Sequence, residues 1–490
     1  MNSAALPNDT IVAPATPNGV GAIHLIRLSG PQAIALTAKY FKGSGPATSS
    51  AGQSARIKTS GGRFDLRKSK ARRLYYGQLL DDNQQLLDEV VVSLYRAPAS
   101  YTGEDTVEIS CHGSPFISQA VVQLFIRAGA RLAEPGEFSQ RAFLNGKMDL
   151  SQTEAVADLI ASQSAAAHRM ALHQLKGGVS DAIGELRQKL IDFASLIELE
   201  LDFAEEDVEF ADRTELMQLV ESIRTRIADL QKSFALGNAI KNGIATVIAG
   251  RPNAGKSTLL NALLQEERAI VSEVAGTTRD TIEEILNIEG VAFRLIDTAG
   301  IREASDKVEA IGVERTLAKV QESRILLYVY DVIATSPEQL AEDLNALYQE
   351  DTALLVVANK MDLNPYTSYD HYFGEEVPPS RWSVPYDNFV PIIAKKQANL
   401  DFLKERLYAL GVGQDWQEND LILSNARHYA ALQRADEDLE KVLSGMSVGV
   451  TSDFIAMDIR AALHHLGEIA GTVSTDDLLS NIFSKFCIGK

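Results

Sequence analysis

GRPNAGKST, Gly250–Thr258, is the stretch on which the fold reading turns. An apolar run, GIATVIAG, precedes it and LLNALLQ follows, so it reads as a phosphate loop between a strand and a helix. Gly250 and Gly255 let the backbone approach phosphate oxygens, and the N–H groups at the helix start supply positive potential. Lys256 is placed to reach the β- and γ-phosphates, and Ser257 to ligate magnesium. Asn253, Ala254, Gly255, Lys256, Ser257 and Thr258 are the loop's candidate nucleotide contacts.

Two later motifs turn "phosphate" into "GTP". DTAG puts Asp297 at the end of an apolar strand, suited to magnesium through water, and Gly300 beside the γ-phosphate, with Thr298 and Ala299 as further candidate GTP contacts. In NKMD, Asn359 and Lys360 frame the base. Asp362 can accept two hydrogen bonds from guanine, an edge that adenine does not offer. VPIIAKK (Val390–Lys396) places Ala394 and Lys395 for base contact, but Ile393 stands where a small hydroxyl residue is usual, so modest base affinity is expected. Ile301 follows DTAG where many GTPases carry a water-orienting Gln. Another group must orient the water, and Glu309 is the nearest candidate carboxylate.

Around this domain the pattern changes twice. Residues 1–147 alternate β-branched runs with Gly and Pro. Gly19–Gly30 and Asp88–Gly113 read as strands joined by turns, and Pro115–Ala130 as a helix, giving an α+β domain. Ala47–Gly62 looks like a flexible insertion. From Leu150 the spacing is helical. Ser151 and Glu154 read as a capping box, Gly177-Gly178 as a break, and Ser180–Leu201 and Thr214–Ala235 as further helices. From Gly243 short apolar runs alternate with helical stretches, the signature of a mostly parallel sheet. After Asp420 the pattern is helical again, without a strand signal. The economical division is residues 1–147, a helical domain in two parts (148–240 and 412–490), and an inserted Ras-like phosphate-loop domain, 241–411. Two independent helical units are the alternative.

Composition narrows the setting. The 490 residues carry 47 basic against 66 acidic side chains, net −19, which excludes a general nucleic-acid coat. The run Arg56–Arg73 reads as a solvated loop or a local RNA contact. The acidic stretch around Glu198–Glu209 reads as a helix end entering an exposed segment rather than a metal site. No apolar run reaches membrane-span length and no secretory pattern opens the chain, so a cytoplasmic protein is expected. Cys111 and Cys487 alone do not make a disulfide framework.

The motifs together resemble the MnmE (TrmE) family of tRNA-modification GTPases over nearly the whole chain. The resemblance rests on GRPNAGKS, VAGTTRD (Val274–Asp280), DTAGIREASDKVE (Asp297–Glu309), YTGEDTVE with CHG (Tyr101–Gly113), PGEFSQRAFLNGKMDL (Pro135–Leu150), LDFAEED (Leu201–Asp207) and the terminal FCIGK (Phe486–Lys490). It implies a GTPase activated by potassium and by dimerisation of its nucleotide domains. Asn253 matches the potassium-ligating Asn. Ser272 to Gly276 matches the loop whose carbonyls, at Ser272 and Val274, complete that site together with Thr277. Thr278 matches the switch residue on magnesium, and Glu309 the water-orienting Glu.

The resemblance also implies a folate-binding, dimerising N-terminal domain. Arg27, Glu108, Lys147 and Lys490 match ligands for 5-formyltetrahydrofolate, or 5,10-methylenetetrahydrofolate as one-carbon donor. Cys487 is then a thiol beside the one-carbon unit, or a structural cysteine. The implied activity joins a homodimer to a flavoprotein partner (MnmG, also called GidA) in a heterotetramer. Together they form a carboxymethylaminomethyl-type group at the 5-position of the tRNA wobble uridine. The chain has no G-x-G-x-x-G fingerprint, so FAD is expected on the partner. Ile393, Ser114 and the Arg56–Arg73 run depart from the family pattern. The competing reading is an Era-type ribosome-assembly GTPase, against which FCIGK and the folate-like motifs argue.

Overall fold

Alternation along the strands accounts for the architecture of both parts of the protein, which a computed structural model describes over residues 8–43, 64–202, 213–265, 283–297, 318–350, 352–374, 384–413 and 421–489. The chain forms two compact units. One comprises residues 1–157, 174–187 and 463–490, the other residues 158–173 and 188–462.

In the first unit, β1 (Ile11–Pro14), β2 (Ile23–Ser29), β3 (Phe41–Gly43), β4 (Arg73–Leu80), β5 (Leu86–Tyr95), β6 (Thr106–His112) and β7 (Arg131–Leu132) make one sheet, ordered β3-β4-β5-β6-β2-β1-β7. Every pairing is antiparallel except β1 with β7. Ile26 and Leu28, Val90, Val92 and Leu94, and Val107 and Ile109 point to one face. There they pack against α1 (Ala33–Tyr40) and α2 (Pro115–Arg127). The residues between them, Arg27 and Glu108 included, therefore face the other way. On that side Ile11 and Ala13 bury Phe138 of α3 (Glu137–Leu144). Arg141 of α3 is fully buried, and its charge is met by Asp9, Glu104 and Glu137. The start of α4 (Leu150–Ala161) packs with α14 (Asp476–Phe483), through Leu150, Leu479 and Phe483.

In the second unit β8 (Ile244–Ala249), β9 (Glu283–Ile288), β10 (Val291–Asp297), β11 (Ile325–Asp331), β12 (Ala353–Asn359) and β13 (Phe389–Pro391) run in the order β13-β12-β11-β8-β10-β9. All neighbours are parallel except β9, which forms a hairpin with β10. One face packs against α8 (Lys256–Gln265) and α11 (Leu400–Val412), the other against α9 (Pro337–Leu347) and α10 (Tyr369–Phe373). Burial on both faces explains why these strands read as continuous apolar runs. Ala166 and Ala167 of α5 (Ala165–Leu175) join the first face, and the Ala166 N–H donates to the Gly290 carbonyl in the β9–β10 turn. The helices flanking the nucleotide segment, α7 (Arg213–Asn242) and α12 (Ala426–Ser447), pack on each other. Arg224 pairs with Asp436 at 2.7 Å and Phe234 stacks on Tyr429.

Several expectations need correction. The cap of α4 is Asp149, not Ser151. The Asp149 carboxylate accepts from the Gln152 N–H and the Gln152 amide oxygen accepts from the Asp149 N–H, a box shifted two residues toward the N-terminus. Ser151 is buried and accepts from Gln174. The first helical stretch breaks at 162–164, before Gly177 separates α5 from α6 (Gly178–Asp202). The third helix runs on to Asn242. Strand β9 was not anticipated, and Ile488 forms an isolated bridge with Pro135. Ala47–Gly62, residues 56–63 of the Arg56–Arg73 run and the acidic residues after Asp202 lie outside the described residues.

Candidate functional site

Strand β8 ends at Ala249 and α8 begins at Lys256, so the intervening loop is held at both ends by buried elements. Lys256 is only 8% exposed. Its Nζ donates to the carbonyls of Gly250 at 2.9 Å and Arg251 at 3.0 Å. A buried ammonium satisfied by the loop's own carbonyls can exchange them for phosphate oxygens. Asn253 is exposed with φ +62°, a left-handed conformation that Asn tolerates. Gly255 has φ +96°, and a Cβ there would run into the Asn359 side chain.

Asn359 gathers the loop and the base-side segments. It is 3% exposed at the end of β12. Its Nδ2 donates to the Ala254 carbonyl at 2.8 Å, and its Oδ1 accepts from the N–H groups of Lys360 (2.8 Å) and Ala394 (3.1 Å). One amide therefore ties the phosphate loop to NKMD and to VPIIAKK. Lys360, at φ +66°, extends its Nζ to Asp331 at the end of β11, 2.7 Å away. Burial pushes the Asp331 carboxyl up, but the Lys360 ammonium and turn N–H groups outweigh it and hold it below the usual carboxylate range. Asp362 is exposed, its side chain 3.4 Å from the Lys396 ammonium. Lys395 is exposed and Ala394 buried. Ser257 and Thr258 are exposed on the first turn of α8, and the backbone of Asp297 stands opposite Ile248 of β8.

Sequence reasoning missed Asp331 and Lys396, the partners of Lys360 and Asp362. The signal for Asp331 was a carboxylate ending the apolar run ILLYVY, beside the strand that ends in Asn359. Ser272, Val274, Gly276, Thr277, Thr278, Thr298, Ala299, Gly300, Ile301, Glu309 and Lys490 lie outside the described residues.

In the first unit, Arg27 and Glu108 are cross-strand neighbours in register, joined at 2.9 Å on the sheet face opposite α1 and α2. The Arg27 guanidinium lies over the rings of Tyr101 and Phe138, with centroids 5.2 and 5.6 Å away. The chain's end comes to the same place. The Gly136 N–H donates to the Cys487 carbonyl, Ile488 bridges Pro135, and Arg27 donates to the Gly489 carbonyl at 3.4 Å. Gly489 has φ +96°, and a Cβ there would strike the Pro14 carbonyl, so the tail needs glycine to lie so close. The Cys487 side chain is exposed. Lys147 donates to the Pro98 carbonyl at 3.1 Å, three residues before Tyr101. A cavity of about 500 Å³ opens beside Tyr101, lined also by Arg72, Arg73, Ser93 and Tyr95. Arg27, Glu108 and the FCIGK tail are thus brought together across more than four hundred residues of chain, with aromatic faces and guanidinium groups nearby.

Comparison with known proteins gives concordant results. A profile of the TrmE N-terminal domain, a GTP-binding protein, matches residues 10–147, and one of the MnmE helical domain matches residues 150–487. The tRNA modification GTPase MnmE of Cytophaga hutchinsonii is 49% identical over 482 residues, covering 98% of both chains. That of Christiangramia forsetii is 48% identical over 490 residues, covering 99% of both. Among solved structures, the G domain of the FeoB iron transporter of T. maritima aligns with 34% of this chain and 98% of its own, at 21% identity. Its TM-score of 0.25 carries no weight for function.

Proposed function

Because the chain belongs to the MnmE family of tRNA modification GTPases, we propose that it is a potassium-activated GTPase that acts with an FAD-dependent partner of the MnmG (GidA) type. Together they form the carboxymethylaminomethyl group at the 5-position of the wobble uridine, using a tetrahydrofolate one-carbon unit. The observation that carries the nucleotide half is the three-way attachment made by Asn359, which prepares the phosphate loop and the base-side segments as one receptor. Asp362 would accept from the guanine edge, with Ala394 and Lys395 lining the base. Lys256 would give up its loop carbonyls for the β- and γ-phosphates.

The donor set suits hard cations, being oxygen throughout. Ser257, Thr278 and, through water, Asp297 would hold magnesium; Asn253 with Ser272, Val274 and Thr277 would hold potassium. When bound, these cations supply positive charge against that developing on the transferred phosphoryl group, as an arginine finger does elsewhere, an effect of about 10³–10⁵ in rate or roughly 4–7 kcal/mol. Glu309 would orient the attacking water, since Ile301 has no polar atom.

For the folate half, Glu108 would face the amide-like edge of the pterin. Arg27, Lys147 and Lys490 would meet the anionic parts of the ligand, with the Tyr101 ring beside the pterin. The proposed organisation is a folate-binding domain (1–147), a helical domain (148–240 and 412–490) and an inserted GTPase domain (241–411), working as a cytoplasmic homodimer. Among the described residues no helix is long and apolar enough to cross a membrane.

Nucleoside analysis of tRNA tests the proposal. Cells lacking the protein should lose the carboxymethylaminomethyl group from wobble uridines and regain it on complementation. Unchanged wobble uridines would overturn the modification reading in favour of a GTPase that acts on RNA without modifying it.

A further inference from the structure

A cluster of possible ligand atoms that shares no residue with either site lies on the last turns of α13 (Ser452–Ala470): His464, His465 and Glu468. One ligand atom from each lies within 4.8 Å of the others. The helix itself explains the convergence. At about 100° per residue, Glu468 projects some 40° around the axis from His464, and His465 about 100° from it. The carboxylate therefore falls between the two imidazoles. The Glu468 Oε1 is 3.4 Å from His464 Nε2 and 3.6 Å from His465 Nδ1.

These distances decide between two explanations. A charge-assisted hydrogen bond between imidazolium and carboxylate is shorter, about 2.7–2.9 Å. Around a tetrahedral zinc ion with ligand distances near 2.0–2.1 Å, neighbouring ligand atoms stand about 3.3–3.4 Å apart. The carboxylate oxygen stands 3.4 Å from His464 Nε2, at such a tetrahedral edge, and 3.6 Å from His465 Nδ1, slightly beyond it; the two ring nitrogens, within 4.8 Å of each other, close on the ion by rotation about side-chain bonds. His465 and Glu468 are mostly buried, with side chains 21% and 18% exposed, while His464 is half exposed. Two ligands are thus held by packing, and the third opens the site to solvent. Two imidazoles and a carboxylate suit zinc and its neighbours and do not suit magnesium or calcium, which prefer oxygen alone.

We propose that His464, His465 and Glu468 form a binding site for one divalent transition-metal ion of the zinc type, with water completing the coordination. The site is independent of the GTPase chemistry, because none of its ligands belongs to the nucleotide or folate constellation.

The test uses the full chain, stripped of metal and kept in excess magnesium to fill hard-cation sites. Zinc is titrated in competition with a chromophoric chelator. The parent chain should bind one equivalent that His464→Ala and the double variant His464→Ala/His465→Ala weaken by at least about tenfold, the size of loss expected when a metal's supporting residues are removed. Cobalt in place of zinc should give visible d–d bands of a four- or five-coordinate nitrogen–oxygen site without a thiolate charge-transfer band, separating it from binding at the exposed Cys487. GTP turnover should be unchanged in His464→Ala, whose half-exposed position on a helix also guards against misfolding. Zinc affinity and stoichiometry unaltered in that variant, or no competition with the chelator at all, would overturn the proposal.

Discussion

Asn359 shows how much a single side chain organises. Its amide is buried and makes three hydrogen bonds to backbone groups of three segments. Asn359→Ala should leave the Ala254 carbonyl and the Ala394 N–H without these partners and weaken the chain by about 1–3 kcal/mol for each buried group left unsatisfied. Nucleotide affinity should fall more than tenfold, because loop and base pocket lose their common anchor; fluorescent GDP binding reads this directly. A variant that melts early yet binds normally would show that Asn359 serves stability alone. The two cysteines offer a second residue-scale prediction. Burial, reinforced by Asp88, pushes the Cys111 thiol up to about 11, so it stays protonated and unreactive at neutral pH. Native protein should be alkylated once, at exposed Cys487, and a second time only after unfolding; mass mapping of the alkylated sites checks this. The phosphate loop, Asn359 and Lys360 could be read directly because each motif is local and its chemistry dictates the residue type. Asp331 could not, since its role depends on β11 and β12 being adjacent. The meeting of Arg27 with Gly489 likewise needs the antiparallel register of β2 and β6 and the return of the chain's end.

At the scale of elements, the misplaced cap of α4 is instructive. Ser-Gln-Thr-Glu and Asp-Leu-Ser-Gln both satisfy the spacing of a capping box, and the choice between them was made by packing. Leu150 is fully buried against Leu479 and Phe483, which draws the first helical turn two residues earlier and sends Ser151 inside to Gln174. Asp149→Ala should therefore cost about 1 kcal/mol, measurable by denaturant unfolding. In α3 the stakes are higher. Arg141 is fully buried among Asp9, Glu104 and Glu137. Burial alone would raise the carboxyls of Asp9 and Glu137, yet hydrogen bonds from Arg131 and Arg141 outweigh it and lower both. Arg141→Met removes the compensation and should cost about 3–5 kcal/mol. Since both carboxyls are depressed on folding, their contribution is complete above the ordinary carboxylate range and is lost as pH falls through their lowered folded-state values. The parent chain should hold its stability to lower pH than Arg141→Met, whose buried Glu137 must take up a proton earlier. Urea midpoints across the acid range distinguish the two, and parallel pH curves would remove Arg141 from this role. Helices and parallel strands were legible because their apolar periods are long. Strand β9 was not, being half exposed and recognisable only as the hairpin partner of β10.

For the molecule as a whole, the decisive question is what replaces a catalytic Gln and an arginine finger in a chain that places Ile after DTAG. The proposed monovalent site, with Asn253 among its ligands, would answer it with a cation, and such a site would discriminate by size and by the number of oxygens it offers. GTP turnover by the full chain should then be at least about tenfold faster in potassium than in sodium at equal ionic strength, well inside the 10³–10⁵ range an arginine finger supplies. The same residue allows a clean control. Asn253 sits at φ +62°, so Asn253→Gly removes the ligand oxygen while keeping a residue at ease in that conformation. It should bind GTP as the parent chain does and turn over at the same slow rate in both salts. Glu309→Ala should also bind GTP normally but hydrolyse it in neither, because the proposed mechanism assigns the water-orienting carboxylate to Glu309 and the substitution leaves the cation site intact. Two variants with intact binding and different salt dependence would separate charge stabilisation from water positioning. Equal rates in potassium and sodium for the parent chain would instead require the missing positive charge to come from a side chain, for which the basic residues of a partner subunit are the first place to look.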